Sequence, residues 1–327
     1  MPEEIKLNTK EGMIKSTFRG KAVTAPYGWY RGEKMVFHPD KESLLELDDV
    51  FTNFIGSDIL KEIKIDHDTN LTTFGSCFAA HISEWFSRKY PKKTETETYV
   101  IRFNEGFVNT FSVLQQFEWA LDNKIPKSGL WFDDKGEVLE YDEKIRLKTK
   151  EVFTKTDLFV ITLGLSEVWY DDETQEVFWR AVPRKHFDSN KHKFRLSKVD
   201  ENFENLKKIC DTIGNSNPNA KIIFTLSPVP LIASFRDSPI IQSNCISKSI
   251  LRVSIDRLIS EYKNNKVYYW PSFEIINTLF KDPNLNDCRH IKKEILDFNM
   301  ALFDFCITDT LDFDKLAHYY KQARDVN

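Results

Sequence analysis

Leu71-Thr72-Thr73-Phe74-Gly75-Ser76-Cys77-Phe78-Ala79-Ala80-His81-Ile82 passes from a short apolar run, through a glycine, into a helix-period pattern. A buried parallel strand reads as such a run, and strand, turn and helix in close succession form the repeating unit of parallel sheets. The alternation recurs downstream. Apolar runs at 98–101, 158–163, 221–226 and 267–270 are separated or followed by amphipathic stretches at 108–121, 201–213, 247–262 and 291–306, with 78–89 following the first run. Those helices give room for the right-handed crossovers that join parallel strands. The pattern predicts an α/β fold over residues 70–310, with a doubly wound parallel sheet of about five strands.

Two stretches break the alternation and read as insertions near one rim: 129–150, with Asp133-Asp134-Lys135-Gly136 as a turn, and 168–197, where 176–182 suits a hairpin. Ligands of open α/β sheets bind beyond the carboxyl ends of the strands, so insertions there would shape a substrate pocket. Residues 1–69 lack a regular apolar period and carry the turn signal Pro26-Tyr27-Gly28-Trp29. They are expected to form an extension packed on the main domain, and 311–327 a C-terminal tail.

The chain has 327 residues, 41% hydrophobic and 29% charged, close to ordinary globular values, but 26 Phe and 7 Trp make it unusually aromatic. Most of that aromatic mass is expected in the core. A net charge of -4 with mixed signs lacks the basic footprint of a nucleic-acid binder. No signal-peptide run or long apolar segment occurs, so the expectation is a cytoplasmic protein without a transmembrane segment. Five widely spaced cysteines, Cys77, Cys210, Cys245, Cys288 and Cys306, fit neither a disulfide framework nor a zinc knuckle.

Three segments carry candidate chemistry. In the first, Ser76 and Cys77 follow Gly75 at the start of a helix, where N–H groups and the macrodipole stabilise negative charge on a nucleophile. The same residues also fit a glycine turn, a serine cap and a small buried cysteine. In the second, Asp287-Cys288-Arg289-His290, the acid can turn back onto one imidazole nitrogen and leave the other as general base. A helix-capping Asp beside a surface His is the plainer alternative, and a metal reading of Asp287, Cys288 and His290 has no second ligand cluster behind it. The third is Thr162-Leu163-Gly164-Leu165-Ser166-Glu167-Val168-Trp169. There Gly164 permits close backbone approach, and Ser166 and Glu167 stand where an oxyanion or a substrate hydroxyl would sit. A simple strand-to-loop turn also fits. All three segments fall at the carboxyl ends of strands in one sheet.

Together these residues resemble the GSCFA family, named for the pentapeptide at Gly75 to Ala79 and grouped with the SGNH (GDSL-type) hydrolase fold. The likeness extends through Thr162-Leu163-Gly164, Glu167-Val168-Trp169 and Ser227-Pro228-Val229-Pro230 to Asn244, Ser247-Lys248 and Leu251-Arg252. It continues in Trp270-Pro271-Ser272-Phe273-Glu274 and Asp287-Cys288-Arg289-His290. The resemblance implies a three-layer, flavodoxin-like α/β/α sandwich and acyl-ester or acyl-transfer chemistry. Laid on the parent pattern, Gly75 takes the first position and Cys77 that of the nucleophile, while Asp287 and His290 take those of orienter and base. The parent's oxyanion Gly-x-Asn falls on Gly164-Leu165-Ser166, with Ser in place of Asn. Its isolated oxyanion glycine has no clear counterpart, and Asn104 and Gly106 are candidates.

A cysteine nucleophile would form a thioester, which favours transfer over hydrolysis. The leading expectation is therefore an O-acyltransferase acting on a carbohydrate or glycan. No tightly bound cofactor is expected; acetyl-CoA or another acyl-CoA would serve as co-substrate, and Lys248 and Arg252, one helical turn apart, would meet the anionic donor. An exposed basic helix face is the plainer account of those two residues. An esterase or thioesterase using the same site, and a binding protein that keeps the fold without turnover, are the competing expectations.

Overall fold

The computed structural model describes residues 6–8, 13–18, 21–26, 38–39, 42–55, 63–75, 77–90, 107–127, 129–262 and 266–326. Contacts divide the chain into two units, Met1–Asp49 and Val50–Asn327. The first holds an antiparallel meander of β1 (Lys6–Asn8), β2 (Met13–Phe18) and β3 (Lys21–Pro26), with Ile14 opposite Leu7 on one side and Ala25 on the other. Helix α1 (Leu47–Phe54) follows.

The second unit starts its sheet at β4 (Leu71–Phe74), followed by α2 (Cys77–Lys89), α3 (Thr110–Asp122) and α4 (Glu143–Lys155). Next come β5 (Leu158–Leu163), the antiparallel pair β6 (Glu167–Asp171) and β7 (His192–Leu196), and α5 (Val199–Ser216). β8 (Lys221–Leu226), α6 (Ile240–Glu261) and β9 (Val267–Trp270) precede α7 (Ser272–Leu279), α8 (Lys293–Ile307) and α9 (Phe313–Asp325).

β4, β5, β8 and β9 lie side by side in that order, all parallel. Every residue of β5 is buried, so this strand must be covered on both faces. Phe159, Ile161 and Leu163 join a core with Phe74, Ile222, Phe224 and Leu226 and with apolar residues of α3, α5 and α6. The alternate residues Leu158, Val160 and Thr162 are equally buried on the opposite face, where α2 and α7 contact the sheet and α8 packs on both. The result is a three-layer α/β/α sandwich. Much of its aromatic content is core, as in the Phe74, Phe117 and Phe153 cluster with ring centroids 4.7 to 5.7 Å apart.

Four expected strands form on the predicted apolar runs; the fifth, at 98–101, lies outside the described residues. Other expectations are corrected. The last part of the 129–150 stretch, from Glu143, is the start of α4, whose N-cap Asp142 accepts from the N–H groups of Lys144 and Ile145 at 2.7 and 3.2 Å. The hairpin expected at 176–182 is instead the wider β6–β7 pair, to which Val177 adds an isolated bridge with Tyr170. Helix α6 starts at Ile240, directly after Pro239, rather than at 247. The expected C-terminal tail carries α9, which packs on α8 and buries Leu316, Tyr320 and Ala323. Among the described residues no helix is long and apolar enough to cross a membrane.

The strand-to-helix turn after β4 depends on Gly75. Its φ of +137° is one that L side chains rarely adopt, and a Cβ there would lie 2.4 Å from the Thr162 carbonyl oxygen. The turn thus rests directly on the end of β5. Gly75→Ala is expected to lose more than ~2 kcal/mol of stability, read as a lower urea midpoint at unchanged slope. An unshifted midpoint would contradict the close approach.

Candidate active site

Cys77 follows the carboxyl end of β4, Gly164 to Glu167 follow or begin beyond β5, and the Asp287–His290 loop before α8 is tied to the loop after β8 by Arg289 and the Pro230 carbonyl. Cys77 is the first residue of α2, at the end where the helix dipole favours an anion; no acid competes in the first turn, and Arg88 and Lys89 occupy the last. Ser76, Asn104, Gly106 and the Cys77 side chain lie outside the described residues.

The Asp287–His290 loop is organised by one carboxylate. Asp287 Oδ1 accepts from the backbone N–H groups of Arg289 and His290, each at 3.0 Å, and Oδ2 accepts from His290 Nδ1. The Arg289 N–H and then the imidazole hold the Asp287 carboxyl down at about 2. Because an ionised carboxylate can only accept, Nδ1 carries the hydrogen of this contact. Cys288 takes φ +57°, unusual for a non-glycine residue, to close this turn, and Leu285 N–H donates to the His290 carbonyl at 2.7 Å. Asp287 and His290 are about half exposed, 45% and 53%. The ligand atoms of Asp287, Cys288 and His290 do not converge on a metal position. Among the described residues, three such groups come within 4.8 Å of one another at exposed Asp66, His67 and Asp68.

Gly164 and Ser166, two of the residues expected near an oxyanion, make close contacts with neighbouring segments. Gly164 N–H donates to the Val108 carbonyl at 2.7 Å, and a Cβ on Gly164 would stand 3.3 Å from Val108 Cβ, so the glycine packs closely against Val108. Ser166 is fully buried. Its N–H and hydroxyl both point to Ser247 Oγ, at 2.8 and 3.2 Å, and its carbonyl accepts from Ser197 Oγ at 2.6 Å. This residue joins the β5–β6 turn to α6 and to the start of α5.

Lys248 and Arg252 do not form an exposed basic face. Lys248 is 3% exposed, and its ammonium donates to the carbonyls of Gly164, Ser227 and Val229 at 2.7, 2.8 and 3.1 Å. All three donors are engaged, which leaves none for an anionic acyl carrier. Burial pushes this group down to about 7. Arg252 lies over the Tyr269 ring at 4.2 Å, bonded to Glu274 and Asp256, and ties α6 to β9 and α7. A lysine with no acid three or four residues away on its helix was the available signal for a buried role: the neighbours are Asn244, Cys245, Leu251 and Arg252.

Glu167 does face open space. It lines a cavity of about 700 Å³ with Trp169, Phe178, Trp179, Phe194 and Phe235. Burial raises its carboxyl pKa, while Ser234 Oγ donates to Oε1 at 3.0 Å. The loop after β8 links this cavity to the histidine. Leu231 lines the cavity, and the carbonyl of its neighbour Pro230 accepts from the Arg289 guanidinium at 3.3 and 3.4 Å.

In comparisons with known proteins, the GSCFA family matches residues 70–303. No curated protein matches. A solved structure of a family two carbohydrate esterase from Clostridium thermocellum in complex with cellohexaose is similar at 10% identity and a TM-score of 0.30, over 73% of this chain and 63% of that one. This chain therefore spans less than two thirds of that esterase's length.

Lys248 sets a pH dependence. Its folded value of about 7 lies below the ordinary 10.5, so between those values the unfolded chain binds more protons and stability rises with pH. Lys248→Met removes this contribution. The stability of the unmodified protein minus that of the variant is expected to climb from pH 7 to 10, by at most ~1.4 kcal/mol per pH unit; a flat difference would contradict it.

Proposed function

Starting from a chain that belongs to the GSCFA family, we propose that it is an acyl-transfer enzyme in which Cys77 carries the acyl group, His290 moves the protons and Asp287 orients the imidazole. The observation that supports this most is the Asp287 carboxylate. Anchored by two backbone N–H groups, it fixes His290 Nδ1 and leaves Nε2 as a base.

Cys77 passes its thiol proton to Nε2, and the sulfur adds to the acyl carbonyl. The imidazolium then protonates the departing alcohol or thiol of the donor, leaving a thioester on Cys77. In the second half, an acceptor hydroxyl gives its proton to Nε2 as its oxygen attacks the thioester; the thiolate leaves and recovers that proton. The acyl donor is an activated ester or a thioester of the acyl-CoA kind. Water as acceptor, giving an esterase, is the second reading, and the half-exposure of His290 and Asp287 favours it. Product analysis with and without an alcohol acceptor separates the two.

After incubation with p-nitrophenyl acetate, the intact protein is expected to gain one acetyl group; Cys77→Ala abolishes the adduct and Ser76→Ala keeps it. His290→Ala and Asp287→Asn are each expected to slow turnover by ~10²- to 10⁴-fold. An adduct that survives Cys77→Ala but not Ser76→Ala would move the nucleophile to Ser76. Absence of any adduct, with turnover untouched by His290→Ala, would overturn the proposal.

A further inference from the structure

The cavity beside β6 and β7 has a composition that restricts its ligand. Its aromatic wall includes Trp169, with Phe194 and Phe235 against it at centroid distances of 5.5 and 4.8 Å. A volume of about 700 Å³ lies within the range of small-molecule sites, roughly 300–1,000 Å³. Two of the lining residues are acids, Glu167 and Asp134, and the lining cation Arg180 is already bonded to Asp134 at 3.0 Å. Arg236 offsets Glu167 in the same way, so acids and cations balance and a charged ligand of either sign finds no net counter-charge there.

A plain hydrocarbon chain suits the aromatic wall but not Glu167. The residue is 6% exposed, and the described hydrogen bond to its carboxyl reaches Oε1 alone, from Ser234. Covering Oε2 with hydrocarbon would leave a polar group desolvated without a partner, which costs about 1–3 kcal/mol or more. The occupant that satisfies both surfaces is uncharged, has an apolar C–H face for the rings, and carries hydroxyl donors at its edge for the carboxyl group.

We propose that this cavity binds a neutral sugar ring, packed against the aromatic corner that Trp169 and Phe235 make at 78° to each other and hydrogen-bonded through a hydroxyl to Glu167, as the acyl acceptor of the site. The acceptor role rests on the acyl-transfer reading above; the binding does not. The connection to His290 runs through the loop after β8, since Leu231 faces the cavity while Pro230 holds Arg289. Glu167 and Trp169 are binding residues in this account and take no part in proton transfer at His290.

The test is tryptophan fluorescence of the full chain titrated with glucose, galactose, N-acetylglucosamine, cellobiose and maltose in the absence of any acyl donor, with sodium decanoate as the hydrocarbon probe. Saturable quenching by at least one sugar is expected. It should persist in His290→Ala and weaken by ~10-fold or more in Glu167→Gln, the order expected for a hydrogen bond to a charged group. Phe235 is 63% exposed, so Phe235→Ala leaves the core untouched and gives a second variant expected to weaken binding should Glu167→Gln fold poorly. Saturation by decanoate alone, absence of saturation with every sugar, or sugar binding indifferent to both variants would overturn the inference. An acetyl adduct on Cys77 without sugar binding would reject the cavity assignment alone. Sugar binding without an adduct would reject the acyl-transfer reading alone.

Discussion

Lys248 brings an ammonium group into the interior with no carboxylate to pair it among the described residues, and three backbone carbonyls satisfy its three donors. Two of those carbonyls, of Ser227 and Val229, belong to the loop after β8, and the third, of Gly164, to the turn after β5. One buried amino group thus bridges the ends of the two central strands. The consequences spread along the chain. Pro230, next to Val229, holds Arg289 and with it the Asp287–His290 loop; Leu231, one residue further, is fixed by Asn244 Oδ1 at 3.1 Å and forms part of the cavity wall. Removing the amino group would take a hydrogen-bond donor from three carbonyls at once, a heavier loss than one hydrogen bond implies.

The same rim is built on close glycine contacts, tightest at Gly75, where a Cβ would lie 2.4 Å from the Thr162 carbonyl oxygen. Gly75 rests on Thr162 and Gly164 on Val108, so β4, β5 and the segment before α3 meet with almost no space between them. Such contacts fix the first residue of α2, where Cys77 stands, relative to the end of β5. Catalytic positioning to fractions of an ångström requires support of this kind, because flexible side chains would absorb any displacement. Asp287 applies the same economy to His290: one short carboxylate sets both the turn and the tautomer.

Much of the sheet was legible in the sequence because buried parallel strands are continuous apolar runs, and 71–74, 158–163, 221–226 and 267–270 have no competing pattern. The β6–β7 pair was not legible: its strands are polar on one side and separated by twenty residues, so nothing local fixes their register. Helix α4 was hidden by low apolar content, although Asp142 was a usable cap signal. The Asp287–His290 contact could be inferred from spacing, since an acid three residues before a histidine can bond it only if the loop turns. The roles of Gly164, Ser166 and Lys248 could not. A motif shows which polar groups cluster near a strand end, but not whether each faces the ligand or the neighbouring backbone.

A histidine that activates Cys77 makes its thiol more nucleophilic, which thiol alkylation reads. Iodoacetamide labelling, followed residue by residue by mass spectrometry at neutral pH, carries its own references. Cys245 and Cys288 are exposed thiols, whereas Cys210 and Cys306 are buried, with burial pushing the Cys306 thiol up to about 12. The account predicts that Cys77 reacts faster than Cys245 and Cys288, and that His290→Ala brings it down to their rate. A Cys77 rate no greater than that of the exposed thiols and unchanged in His290→Ala would contradict it.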